Sequence, residues 1–249
     1  MADWERPKDL PYPMVWRKFT RTMSDGREHK FRIQDASQDM FDEIYDLFKV
    51  HFMTEEPICS VLGCSQCIEI NKLISDMVND EVSLKEMEIY WRSELRRKTL
   101  IVCFEEVPDG KDVLVSCNVM GVRTKGNLLK VAATGRALVA MNKIMEHIWL
   151  EVAKIYEAFN VDKYLSAYGL SVHRDYRGIG IGVEMLLART EYCKANKIEF
   201  TVTAFTSKGG QRAGEKAGFD FHLSKLYSDI EKDTGVNLTG IKHDCIKDV

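Results

Sequence analysis

The sequence predicts an α/β (α+β) fold, in which helices pack on the faces of a mixed central sheet. Residues 163–227 alternate strand, helix, strand, helix and strand patterns, an order typical of layered sheets and helices. In the middle of the chain, the apolar segments 99–107 and 113–122 flank the turn PDGKD, which indicates a β-hairpin. A chain of 249 residues is also long enough to bury one substantial core.

The domain organisation is predicted from the segments that lie outside these helix and strand patterns. Prolines discourage a helix in residues 1–29, so we expect an N-terminal arm there, held to the body by Trp4 and Trp16. We find no repeat, low-complexity tract or linker after it. Residues 30–249 are therefore predicted to form a single domain.

The elements before the hairpin are read from periodicity and caps. Residues 29–36 have the pattern of a strand, and Asp35–Gln38 resembles a capping box that opens a helix. Apolar residues at helical spacing extend that helix over 41–52. Pro57 is expected to end it, because proline disfavours the α region in the preceding residue.

Two further helices precede the hairpin in this prediction. One covers Cys64–Asn79, and the next starts at Ser83, with Glu86 completing a second capping box. After the hairpin, residues 127–159 predict a long helix. The C-terminal elements are a strand at 163–173, a helix at 178–196, a strand at 198–205, a helix at 207–217 and a strand at 218–227.

Composition excludes several classes of function. The formal net charge of −3 gives no reason to expect a nucleic acid or an anionic membrane as partner. No run approaches 18 apolar residues, and the N-terminal MADWERPKDLPYP is charged where a secretory signal would be apolar. The seven cysteines are scattered, which suits reduced thiols. We therefore expect a cytoplasmic protein that binds no membrane, and we expect a monomer.

The segment Arg177–Gly182, RGIGIG, places three glycines between a strand and a helix. A helix N-terminus offers unpaired N–H groups and positive charge, and glycines let a phosphate approach them. Arg177 is expected to add charge-assisted hydrogen bonds. The spacing is not that of the dinucleotide fingerprint, and no Gly-Lys-Ser/Thr follows. The alternative is that the glycines only permit a tight turn.

Together with its surroundings, this segment resembles the GNAT acetyltransferase superfamily. The family motif Arg/Gln-x-x-Gly-x-Gly/Ala is matched at 177–182, and EKAGF resembles the helix end that precedes the family's next strand. The resemblance covers about 30–246. It implies a GNAT-type mixed, mostly antiparallel sheet with a splayed strand pair at a coenzyme A (CoA) site.

FMTEEPIC, residues 52–59, is similar to a segment of the insect arylalkylamine N-acetyltransferase group. In that group the glutamate before the proline is the general base, which implies this role for Glu56. The loop after the next strand usually supplies two serines, and here it keeps the hydroxyls of Thr206 and Ser207. Gly214 stands where many GNAT enzymes have a tyrosine that protonates the leaving group.

The resemblance implies acetyl-CoA as co-substrate and no metal. A pyrophosphate suits the glycine turn, and an amide-rich pantetheine arm can add to a strand edge as a peptide does. Cys64 and Cys67 have metal-like spacing without a second pair of ligands, so we interpret them as thiols. His173 is either a proton shuttle or a loop histidine. The residues expected to bind CoA are Leu170, Ser171, Val172, Arg177, Gly178, Ile179, Gly180, Ile181 and Gly182.

The sequence thus predicts an acyltransferase that acetylates the primary amine of a small molecule, an arylalkylamine or a polyamine-like compound. The amine would attack directly with help from a general base. Two alternatives stay open. One is acetylation of protein lysines or N-termini, and the other is a CoA-binding protein with impaired catalysis, since the second serine and the tyrosine are missing.

Overall fold

A computed structural model of the chain describes residues 4–23, 25–62, 77–126, 132–152, 154–241 and 245–248. The strands are β1 Val15–Thr22, β2 Glu28–Asp35, β3 Leu100–Glu106, β4 Val113–Thr124, β5 Lys163–Val172, β6 Thr201–Val202, β7 Ala204–Phe205, β8 Leu223–Leu226 and β9 Cys245–Asp248. The helices are α1 Phe41–His51, α2 Pro57–Val61, α3 Glu81–Arg96, α4 Arg136–Val152, α5 Ile155–Ala158, α6 Ile181–Ala195, α7 Lys208–Lys216 and α8 Tyr227–Thr234.

The sheet topology confirms the predicted fold class. β1 to β5 pair in sequence order and antiparallel, and β6 joins β5 in parallel, giving the order β1-β2-β3-β4-β5-β6. A second sheet has the order β7-β9-β8. The strand predicted at 198–205 therefore contributes to both sheets, and it is divided at Thr203.

Helices bury apolar side chains against both faces of the large sheet. On one face, α1 and α3 contribute Phe48, Trp91 and Leu95 to a core with strand residues such as Val102. On the other face, α6 contributes a stripe to a second core. The predicted stripe residues Ile181, Met185, Ala188 and Tyr192 are all buried there, while Ala195 is half-buried.

The N-terminal segment is more structured than an arm. Residues 15–22 form the edge strand β1, whose pairing with β2 the sequence did not predict. Trp4 is buried, and Trp16 packs edge-on against Tyr192, so both tryptophans do hold this segment to the body. The division into 1–29 and 30–249 remains a prediction.

The first predicted capping box is wrong. Asp35 is fully buried and paired with Arg6, the Nη2–Oδ2 distance being 2.8 Å. It also accepts hydrogen bonds from Met14 N and Trp16 Nε1. The carboxylate therefore binds residues that precede β2 in the chain and does not cap a helix. α1 begins at Phe41 without a side-chain cap.

The second capping box is wrong as well, because the cap lies three residues earlier. Asp80 is the N-cap of α3 and accepts from Ser83 N at 3.1 Å. Glu86 instead binds Thr134 and the backbone N–H of Gly135. Position 83 is inside the helix, whose start the periodicity placed too late.

The two helices predicted at 64–79 and 127–159 are only partly described. Residues 64–76, including Cys64 and Cys67, and residues 127–131 lie outside the described residues. Met77–Asn79 form a short 3₁₀ turn. The second stretch contains α4 and α5 as separate helices. α8 and β9 follow the last predicted strand and were not predicted.

None of the helices in the described ranges is long and apolar enough to cross a membrane. The same ranges contain no group of three or more His, Cys, Asp or Glu residues placed to hold a metal ion.

Candidate active site

A cavity of about 860 Å³ runs along β5, from the glycine turn to the start of α2. Eight of the nine residues predicted to bind CoA line it, as do Glu56, Thr206 and Ser207. Ile179 does not. Its carbonyl instead accepts a hydrogen bond from Arg21 Nε at 2.7 Å. The cavity therefore joins the three predicted parts of the site.

The cavity enters the large sheet where two strands part. β5 and β6 pair only at Leu165 with Thr201 and at Ser166 with Val202. Beyond this point β6 ends and β7 turns into the second sheet, so the pair is splayed. Pairing with β4 continues as far as Val172. One edge of β5 is thus available to an extended ligand.

The backbone groups of β5 alternate between β4 and this open edge. His173 N donates to Val115 O of β4 at 2.8 Å, and Ser171 O accepts from Ser116 Oγ at 2.7 Å. Because N–H and C=O directions alternate along a strand, the groups of Leu170 and Val172 point to the cavity side. Ser171 therefore lines the cavity without offering its backbone to a ligand there.

The glycine turn needs its glycines for conformation. Gly178 and Gly180 have φ of +83° and +91°, in the left-handed region that other residues rarely adopt. Gly180 is the N-cap of α6. Arg21 fixes the turn from β1 by binding Ile179 O and, with its Nη2, Glu184 Oε1 at 2.6 Å. Ile181, Gly182 and Val183 of the first turn of α6 line the cavity, and no side chain caps the helix.

Arg177 is held by the protein itself. Its Nε donates to Val172 O at 2.9 Å, its Nη2 to His51 O at 2.7 Å, and its Nη1 to Glu55. Arg174 Nη2 binds the same carboxylate at 3.0 Å. These cations hold the pKa of Glu55 below its usual range, the hydrogen bond from Arg177 being the largest contribution. The guanidinium of Arg177 thus ties the turn to the end of α1.

Two cations on α7 line the cavity and were missed by the sequence analysis. Arg212 and Lys216 are one helical turn apart and exposed. Within the described part of the chain, no carboxylate lies within ion-pair distance of either. Their spacing of four residues, which puts both on one face of a helix, was the available signal. Gly182 of α6 lies close by, because a Cβ there would be 3.7 Å from Ala213 Cβ.

Glu56 has one oxygen fixed and one oxygen free. It is the N-cap of α2, with φ −66° and ψ 129°, and Oε2 accepts from Cys59 N at 2.7 Å. Oε1 is buried and has no hydrogen-bond partner among the described residues. Pro57 begins α2 instead of only ending α1, since proline is well suited to the first helical position. The sequence analysis missed this capping role, and the role of Glu56 as general base remains a prediction.

The thiol of Cys59 lies close to this carboxylate. Burial, followed by the charge of Glu56 and a hydrogen bond to it, raises the pKa of the Cys59 thiol well above its usual value. Cys59 is fully buried, so this thiol stays protonated.

Ser207 is the N-cap of α7. Its Oγ accepts from Gly210 N at 3.0 Å, which leaves its own hydroxyl proton available. The carbonyl of Thr206 accepts from Tyr227 Oη at 2.7 Å. Burial and then the charge of Glu56 raise the pKa of Tyr227, so α8 approaches the start of α2 beside this loop.

The position that resembles the leaving-group tyrosine has no room for one. A Cβ on Gly214 would lie 2.9 Å from two ring carbons of Phe205. Phe205 is buried and packs against Phe219 and Phe221. The space of the missing tyrosine is therefore filled by an aromatic cluster.

Beyond Glu56 the cavity is walled by aromatic side chains. Arg123 lies over two of their rings, 5.2 Å from the centroid of Tyr168 and 5.9 Å from that of Trp149. The aromatic residues at this end are Phe52, Tyr90, Trp91, Trp149, Tyr156, Tyr164 and Tyr168. Such walls suit an apolar or aromatic body bearing an amine.

The ring of His173 packs in a tilted arrangement against that of His51, which lines the cavity, with 4.1 Å between the ring centroids. Burial, and then the neighbouring His173 and arginines, lower the pKa of His51. These effects favour the neutral form of His51. His173 does not line this cavity; it lines a smaller neighbouring pocket.

No family model matches the chain, and no curated protein matches it by sequence. Solved structures do match. The provisionally named arylalkylamine N-acetyltransferase 7 of the yellow fever mosquito Aedes aegypti is 26% identical, with a TM-score of 0.87 over 99% of this chain and 98% of that one. Arylalkylamine N-acetyltransferase 2 of the same mosquito is 17% identical, with a TM-score of 0.69 over 88% and 96%.

A Drosophila melanogaster polyamine N-acetyltransferase that forms N-acetylagmatine is 14% identical, with a TM-score of 0.65 over 88% of this chain and 97% of that one. The two more distant matches show the fold. Together the matches confirm the recognition of a GNAT acetyltransferase fold that resembles the insect arylalkylamine N-acetyltransferase group, and they confirm the expectation of an acyltransferase.

Proposed function

We propose that this GNAT acyltransferase transfers the acetyl group of acetyl-CoA to the primary amine of a small molecule, an arylalkylamine or a polyamine-like compound. The observation that carries the proposal is the single cavity that connects the glycine turn, the open edge of β5 and Glu56. The aromatic walls beyond Glu56 favour a small acceptor over the side chain of a folded protein.

The residues present fit a CoA thioester. Positive-φ glycines open the α6 N-terminus to a pyrophosphate, and Arg212 and Lys216 add positive charge nearby. The backbone groups of Leu170 and the N–H of Val172, whose carbonyl accepts from Arg177 Nε, suit the amides of the pantetheine arm. When bound, acetyl-CoA supplies an activated acetyl group as its thioester.

Glu56 is proposed to receive the proton of the incoming ammonium at Oε1. An alkylamine with a pKa near that of lysine, ~10.4, is only ~0.04% neutral at pH 7, so a base at this point raises the fraction able to attack. Oε2 stays bound to Cys59 N and keeps the carboxylate oriented. A backbone N–H on the open edge of β5 is proposed to stabilise charge on the carbonyl oxygen.

Thiol release from acetyl-CoA, measured over a panel of amines, tests this function. We expect turnover with at least one arylalkylamine or polyamine and none with peptide lysines or protein N-termini. Turnover with peptides alone would establish the protein acetyltransferase instead. Binding of CoA by calorimetry without turnover of any amine would favour a CoA-binding protein with impaired catalysis.

A further inference from the structure

Arg189 is a buried cation in the wall of the cavity, and the sequence analysis did not single it out. The residue is 0% exposed and lies on α6. Its Nη1 and Nη2 donate to the hydroxyls of Thr203 and Thr201, and its Nε is buried without a hydrogen-bond partner. Among the residues that the structure describes, no carboxylate lies within ion-pair distance of it. A buried charge without a counter-charge is costly to maintain.

The surroundings of the guanidinium are almost entirely neutral. They are the two threonine hydroxyls, weaker contacts of Nη2 to the carbonyls of Leu165 and Val202, at 3.4 and 3.3 Å, and the ring of Phe219 at 5.7 Å. The titratable group that acts on it is Cys193 on the same helix. Burial lowers the pKa of Arg189 to about 10, so the group is still charged at pH 7.

The guanidinium sits at the closed end of the splay. Leu165 and Val202 belong to the last two residue pairs that join β5 to β6. Because those strands are parallel, the connecting helix α6 runs back along them, from the open end of the splay towards its closed end. Nine residues separate Gly180 from Arg189, a rise of about 14 Å.

This rise matches the length of a pantetheine arm. From its phosphate to its sulfur, the arm has as many chain atoms as about four extended residues, which span ~13 Å. An arm whose pyrophosphate lies at the glycine turn, extended along β5, brings its sulfur to the level of Arg189. The residues that line the cavity include Arg189, Leu186 and Thr203.

We infer that Arg189 stabilises the negative charge that develops on the CoA sulfur, so that the thiol leaves as the thiolate; this inference rests on the proposed function. The amine nitrogen forms the new bond to the acetyl carbon, the carbon–sulfur bond breaks, and sulfur keeps its electron pair beside Arg189. Glu56 first takes a proton from the ammonium, which frees the amine to attack, and releases it to water. The second proton, which the nitrogen loses as the amide forms, leaves by the same carboxylate. No acid is then needed where Phe205 fills the space of a tyrosine at Gly214.

Titration of bound CoA tests the inference through the ultraviolet absorbance of its thiolate. The signal is the difference between the CoA complex and the complex with desulfo-CoA, recorded against pH in a Cys193→Ser background that removes the adjacent thiol. We expect the bound thiol to have a pKa at least one unit below the usual thiol value of ~8.5, and Arg189→Met to return it to that value or above. Arg189→Lys, which keeps the charge, should retain part of the shift.

The control separates charge from architecture. The double variant Thr201→Val, Thr203→Val removes the hydroxyl partners of Arg189 and keeps the cation, so the depressed thiol pKa should persist. If the thiol pKa rises as much in this variant as in Arg189→Met, Arg189 acts only by holding the strands in place, and the inference is overturned. An ordinary thiol pKa in the parent complex would overturn it too. Failure of the parent to bind CoA in calorimetry would instead count against the proposed function.

Discussion

At the scale of single residues, Glu56 combines a structural role, as the cap of α2, with the role of general base that we propose for it. Its Oε2 closes the start of α2, while its buried Oε1 has no partner in the described structure. A cap fixes a side chain in one geometry because the backbone N–H it binds cannot move independently of the helix. The residue is therefore oriented before any amine enters the cavity.

Glu56→Gln is expected to lower kcat/KM by a factor of 10²–10⁴, the usual contribution of a general base. The amide oxygen of glutamine can still accept from Cys59 N, so the melting temperature should change little. The loss should shrink as pH rises towards the pKa of the amine, because free neutral amine then replaces the base. Steady-state pH–rate profiles of variant and parent measure this.

Glu55→Gln is the matched control for that experiment, since it changes the adjacent carboxylate, which binds Arg177 and Arg174. It should leave the shape of the pH profile unaltered. Parallel profiles for Glu56→Gln and the parent would refute the base assignment.

The second residue-scale prediction concerns which arginine meets the CoA phosphates. Arg212→Ala should weaken CoA binding by roughly 1.5–3 kcal/mol, the range for a charge-assisted hydrogen bond. Arg177→Ala should weaken it less, because that guanidinium is occupied by Glu55, His51 O and Val172 O. Calorimetry with CoA provides the comparison.

Pantetheine, which lacks the nucleotide and its phosphates, provides the control ligand. Its affinity should be insensitive to Arg212→Ala. A larger loss of CoA affinity in Arg177→Ala than in Arg212→Ala would restore the role that the motif gives to Arg177.

At the scale of elements, the starts of α3 and α4 are built as one unit. Asp80 caps α3 through Ser83 N and also accepts from Ala137 N in the first turn of α4 at 2.9 Å. Ser83 Oγ accepts from Leu138 N at 2.9 Å. Gly135 permits this approach, since a Cβ there would lie 2.3 Å from Ser83 Oγ. The carboxylate of Asp80 thus holds the start of α4, a helix that lines the aromatic end of the cavity.

Asp80→Ala is expected to cost about 1–2 kcal/mol of unfolding free energy at neutral pH, as for a lost N-cap. Burial opposes the charged form of Asp80, but hydrogen bonds from Ala137 N and Ser83 outweigh it and lower its pKa. A lowered folded-state pKa gives stability that is present above the unfolded value of ~3.9 and lost as pH falls through the folded value.

The stability difference between Asp80→Ala and the parent should therefore diminish below pH ~4, as followed by denaturant unfolding at several pH values. Glu81→Ala removes the neighbouring, exposed carboxylate and should show a much smaller difference. A pH-independent deficit in Asp80→Ala would mean that packing, and not the charged cap, holds the two helices.

The elements also show what the sequence could predict. The hairpin, β5 and α6 follow from apolar runs and helical spacing, which burial in the sheet enforces. β1 was missed because half of its side chains are exposed at the sheet edge, so little apolar patterning remains. The division of 198–205 at Thr203 was missed because a β pattern records that a segment is extended, and not which sheet it joins.

At the scale of the whole molecule, the site lies where the chain leaves the large sheet after β6 and joins the second sheet as β7. Glu56, Thr206, Ser207 and most of the residues of the glycine turn could be proposed from sequence because a motif marks them, and their roles remain predictions. Arg189 could not, since a single arginine in a helix has no pattern that distinguishes a cavity wall from the solvent, and Arg212 had only its spacing of four residues from Lys216 as a signal. Their positions depend on how α6 and α7 pack around the splay.

The contacts of Glu55 have a consequence for how the two substrates influence each other. Glu55 precedes the proposed base in the chain and binds the arginine of the glycine turn, so the acceptor end and the CoA end are linked through adjacent residues. Occupancy of one end is then expected to change affinity at the other, and thermodynamic linkage makes that change reciprocal. Because the ion pair is partly exposed, its strength of at most about 1 kcal/mol limits this cooperativity to roughly fivefold.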